Sequence, residues 1–180
     1  MIPKWLRIQR AGLFLFSVSG VLLLVHALGY LSNAYIFYAF GDRALVDFYH
    51  EMQGINNGLL YRSLLAIVFA IVLYMIQLGK HAAGRFTLLI TVLVCAASLA
   101  ASADALIRIA GNRLTYTLLD LSVLDRYVEL GSITYSKSTI VFDLGIAAYA
   151  LFFAAALFVA LTVARNAFVV RDIPVVEKQQ

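Results

Sequence analysis

Asp104 and Arg108 stand four residues apart in SLAASADALIRIAGN, at the end of an otherwise apolar run. Positions four apart share one helical face, so this carboxylate and guanidinium can pair along the helix axis. His26, Arg62 and Asp143 lie in similarly apolar surroundings. A charge at the centre of a bilayer costs about 2.5–3.5 kcal/mol on insertion scales, and an ionisable group in such a place is a candidate for function. Two chemistries fit these residues: a polar lock tying helices together, or a site for a ligand, an ion or a proton. Arg62 follows Asn56 and Asn57, which read as helix caps. A cation there opposes the helix macrodipole, so Arg62 needs an acidic partner, and Asp104 and Asp143 are the candidates.

Other chemistries find less support. A haem held across helices needs axial ligands facing each other at one depth. Of His26, His50 and His81, only His26 with His50 could meet that condition. No His/Cys cluster has zinc-ligand spacing, and neither a metal nor a cofactor is expected. In FYHEM, His50 sits beside Glu51 and could act as a general base, but neighbours on a helix point about 100° apart. No nucleophile-elbow, Gly-rich phosphate loop or nucleotide motif is present, so an enzyme is the least supported class.

The elements that must position these groups follow from composition. Of 180 residues, 63% are hydrophobic and 13% charged. Soluble domains run at roughly 45–50% apolar and about 25% charged, so too few polar residues remain to cover a soluble core. Four runs suit a hydrocarbon layer of about 30 Å, near residues 11–31, 58–78, 86–110 and 139–164. They lack the alternation of barrel strands and must be helices to satisfy their own backbone. The first run is longer than the core of a cleavable signal and reads as a retained anchor. The expected fold is an all-α integral membrane protein, a single four-transmembrane-helix bundle in which 32–57 and 111–138 are outer loops and 165–180 a tail. Cys95, the single cysteine, reads as a small buried residue.

Orientation follows from the bases near the span ends. The N-terminal flank, the second connection GKHAAGR and the tail together hold eight of the 14 bases but two of the 10 acids. Both termini are therefore expected in the cytoplasm, in a plasma membrane of bacterial inner type. The net charge of +4 is not gathered into a basic stripe with stacking aromatics, so nucleic acid is not an expected partner.

Within the outer loops, GDRALVDFYHEMQG reads as a short amphipathic helix capped by Asp42 and stopped by Gly54. YTLLDLSVLDRYVELG reads as a second, flanked by weakly alternating LTYTL and SITYS that could pair as strands. Tyr30, Tyr35, Tyr38, Tyr49, Tyr61, Tyr116, Tyr127 and Tyr135 all fall on the outer side, as an interfacial belt or an aromatic-lined mouth would place them.

Two small faces appear on the third span: Ala97, Ala100 and Ala101 beside Asp104, and Thr91, Cys95, Ser98 and Ser102 opposite. Small residues let membrane helices approach closely, so this span is expected to have a neighbour on each side. On the fourth span Asp143, Ala147, Ala150 and Ala154 form one stripe, expected to face the bundle. At 1.5 Å per residue, His26, Arg62, Asp104, Arg108 and Asp143 all fall in the outer third of the membrane. The leading expectation is a non-enzymatic accessory or assembly subunit in a homo-oligomer or with other membrane subunits. The alternative is a small transporter or a lipid- or ligand-binding protein that uses the outer polar cluster.

Overall fold

The computed structural model describes residues 4–34, 43–76, 78, 84–125, 129 and 138–169. It is helical, with α1 Lys4–Ala34, α2 Arg43–Met75, α3 Arg85–Leu118 and α4 Ile140–Val169. Each carries a stretch long and apolar enough to cross a membrane. At 30 to 34 residues the helices measure about 45–51 Å, well beyond the hydrocarbon thickness of about 30 Å.

Going round the ring, α1 packs on α2 and α4, and α4 packs on α3. The α2–α3 seam that closes the ring is by far the thinnest. At Gly20 α1 passes close to α2, with room for a Cβ that would meet the Ala66 methyl at 3.6 Å, an ordinary van der Waals distance. The first turns of α1 and the last turns of α4 lie at one end of the bundle, where Gln9 meets Asn166, and the opposite end is called distal below.

Side chains also cross the ring. Near the termini the Gln9 amide, 1% exposed, donates to the Leu78 carbonyl and accepts from Asn166 Nδ2 at 3.2 Å. Towards the distal end Asn112 Nδ2 donates to the Tyr30 hydroxyl at 3.2 Å. Gln9 and Tyr30 are 21 residues apart on α1 (30 minus 9), so these polar ties lie about 31 Å apart, close to one hydrocarbon thickness. Between them the buried serine hydroxyls bond back to their own helices, as Ser98 does to Val94 O at 2.8 Å and Ser102 to Ser98 O at 2.7 Å, while the buried Tyr149 hydroxyl donates across to Leu59 O of α2 at 3.4 Å.

The distal end is packed with rings. Tyr30–Phe142, Phe142–Tyr116, Tyr116–Phe48 and Phe48–Tyr49 centroids lie 5.6, 5.3, 5.7 and 5.3 Å apart, linking α1, α4, α3 and α2. Tyr30, Tyr49 and Tyr116 are buried, so they are core residues and not a belt towards lipid. Tyr61 is exposed. Tyr35, Tyr38, Tyr127 and Tyr135 lie outside the described residues.

Several boundaries differ from expectation. Residues 43–57 continue unbroken into the second span as part of α2. Gly54 does not stop the helix, because Leu45, Phe48, Tyr49 and Met52 are buried on the same side as Leu59 and Ser63. Asn56 is buried mid-helix and caps nothing. LTYTL is the last turn of α3 and not a strand. After it Asp120 caps a single 3₁₀ turn, Leu121–Leu124, accepting from Ser122 N at 3.0 Å. Asp42, Arg126, SITYS and His81 lie outside the described residues.

The amide tie near the termini makes a direct prediction. Gln9→Leu should destabilise the bundle by about 1–3 kcal/mol, because it strands the buried Asn166 amide. Gln9→Leu with Asn166→Leu should recover most of that loss. Equilibrium unfolding in detergent checks both.

Candidate functional site

Asp104 is shared. Arg62 Nη2, from α2, donates to its Oδ2, while Arg108 Nε lies 3.0 Å from both oxygens. The two arginines reach it from opposite directions. Side chains on a helix lean towards its N-terminus, which is distal for α2 and terminal for α3. Arg62 accordingly lies back along α2 over Gly58, where a Cβ would stand 2.8 Å from Nη1. Arg108 turns away from the distal surface, back to Asp104. The side chains of Arg62, Asp104 and Arg108 are 23%, 42% and 50% exposed. Two guanidiniums on one carboxylate leave the triad with a net charge of +1.

Asp143 belongs elsewhere. It sits on the outside of α4, where Arg113 Nε donates to it at 2.6 Å and the Thr139 hydroxyl at 2.9 Å. Ala147, Ala150 and Ala154 are exposed with it, so the stripe expected to face inward faces outward. The interior is filled instead by Phe142, Tyr149, Phe152, Ala155, Ala156, Val159 and Val163. Large rings gain more from packing there than small residues do, as the Phe16–Phe152 contact at 4.8 Å illustrates. Asp143 needs no interior partner because Arg113 reaches it at the surface.

Asp104 lies eight residues below Asn112 on α3, about 12 Å deeper than the Tyr30–Asn112 tie. Arg113 and Asp143 stand level with that tie. The ionisable groups therefore form two tiers rather than one layer.

His26 occupies a third place, between α1 and α4. Its Nε2 donates to the Val141 carbonyl at 3.0 Å, while Nδ1 is buried without a partner. The ring fits only because position 145 is glycine: a Cβ there would stand 2.5 Å from Nε2. Beside it a groove of about 600 Å³ runs between the helices, lined by apolar residues such as Leu22, Val25, Leu144 and Leu151. His26 is not within the Asp104 cluster.

Of the two small faces on α3, Thr91, Cys95, Ser98 and Ser102 are buried. Ala97 and Ala100 are exposed, so α3 is packed on one side and open on the other. His50 and Glu51 are exposed on α2. Among the described residues no three His, Cys, Asp or Glu side chains gather as a metal site would require. Sequence reasoning missed the Gln9–Asn166 and Tyr30–Asn112 ties. Gln9, Asn112 and Asn166 each stand beside an arginine at the end of an apolar run, where an amide reads as surface. Compared with protein-family models, curated proteins and solved structures, the chain matches none.

Gly145→Ala should push the His26 ring out of its seat and cost about 1–3 kcal/mol of stability. If that clash is the cause, Gly145→Ala combined with His26→Ala will unfold later than Gly145→Ala alone. Thermal unfolding of the purified variants distinguishes the two cases.

Proposed function

We propose that this chain is a non-enzymatic accessory or assembly subunit of a membrane complex, seated in a plasma membrane with both termini cytoplasmic. One observation carries the reading. The open face of α3 presents a stretch of small exposed residues, Ala96, Ala97, Ala100, Ala103, Ala110 and Gly111, interrupted by Ile107 and Arg108 and bounded on the same side by the exposed Leu89, Leu93, Leu114 and Leu118. Lipid tails gain nothing from such a face, whereas another helix gains close van der Waals contact along it. The exposed Ala147, Ala150 and Ala154 of α4 extend the same logic to a neighbouring helix.

The transporter alternative draws less support. A path needs polar groups that can exchange partners through the depth of the membrane. Here Ser98, Ser102 and Thr91 are bonded to their own backbones. The charged tiers lie towards one end.

Gentle extraction from native membranes should give a particle heavier than the 19.8 kDa chain once detergent mass is subtracted. Ala100→Trp should return it to the mass of a monomer without unfolding it. A wild-type chain that is monomeric under those conditions would overturn the proposal.

A further inference from the structure

We infer that the partner on the open face of α3 is a helix of a different chain carrying a carboxylate at the depth of Asp104, and that a second copy of this chain does not fit there. This rests on the docking role proposed above and deepens it.

The carrying observation is an unbalanced charge beside an uncovered surface. Asp104 can neutralise one guanidinium, yet Arg62 and Arg108 both bind it. Arg108 uses only its Nε for this, and half of its side chain is exposed. Ala100, Ala103 and Ile107 lie directly beside Asp104 and Arg108 on α3 and are exposed as well. An arginine near a membrane surface usually extends to water. Arg108 is turned the other way, so its surplus charge is held some way into the span.

A charge in that position is tolerated when an opposite charge meets it. The planar fork of arginine offers two parallel N–H groups to a carboxylate. The small residues let a second helix backbone come close enough to place one there. A helix bearing Asp or Glu is therefore complementary in both shape and charge.

A second copy is not. In a parallel dimer built on this face about a two-fold axis along the membrane normal, each triad would meet its rotated copy at the same depth. Two net positive clusters would then face each other in a medium that screens them poorly. The surface that favours an acidic partner thus disfavours self-association.

The test uses the full chain in phosphatidylcholine bilayers and synthetic Leu/Ala transmembrane peptides, with association read by fluorescence energy transfer. The peptides carry Glu, Gln or Lys at the depth of Asp104. The Glu peptide should bind at least tenfold more tightly than the Gln peptide, and the Lys peptide should bind least. Arg108→Gln should abolish the preference for Glu. Asp104→Asn should strengthen it, which a purely structural role for the triad would not do. If Arg108→Gln does not fold, Arg108→Lys should keep part of the preference.

Equal binding of Glu and Gln peptides would overturn the inference and leave the docking role standing. Binding of no peptide at all would remove both. Replacing the bilayer by phosphatidylglycerol should leave the Glu preference in place. Its loss there would assign the charge to lipid and overturn the inference. A dimer of this chain that Ala100→Trp dissociates and Arg108→Gln leaves unchanged would place a second copy on the face and overturn it as well.

Discussion

The bundle closes through a charge. Packing brings α1 against α2 and α4, and α4 against α3, whereas α2 and α3 run close together over much less of their length. Across that seam they are joined by the Phe48 and Tyr116 rings at the distal end and, deeper in the bundle, by the Asp104 carboxylate, gripped by Arg62 from α2 and by Arg108 from its own helix. In water such a pair would contribute little. Within a membrane span the alternative to pairing is a charge left among acyl chains, so the same contact becomes a condition for the arrangement.

That constraint explains how polar groups are distributed. Ser98 and Ser102 bond to their own helix, whereas the Tyr149 hydroxyl and the amides of Gln9, Asn112 and Asn166 make their bonds between helices. Arg113 and Asp143 sit level with the distal tie, at the surface. Among the described residues, the triad combines depth, exposure and unbalanced charge. The neighbouring alanines give it an open surface, and the proposed docking role grows from those two features together.

Much of this was legible in the sequence. Apolar runs of sufficient length gave helices that can span, and the spacing of Asp104 and Arg108 gave their pairing. Arg62 was correctly short of an acid, although for a mistaken reason: it lies in the middle of α2 and not at its start. The sequence pattern misled where residue size was taken to indicate burial. Asp143, Ala147, Ala150 and Ala154 resembled an interior stripe, but the interior went to rings whose packing depends on which helices meet. Helix continuity past Gly54 was similarly hidden, since it depends on tertiary burial of Phe48 and Tyr49 against Tyr116. Local propensity does not contain such contacts.

The most direct measurement is a double-mutant cycle on the seam, using Arg62→Gln and Asp104→Asn, with unfolding free energies determined in one bilayer mimetic. Pairing across the seam predicts that the two changes are not additive, with a coupling of about 1–3 kcal/mol. Additivity within about 0.3–0.5 kcal/mol, the behaviour of independent sites, would show that this contact does not close the bundle.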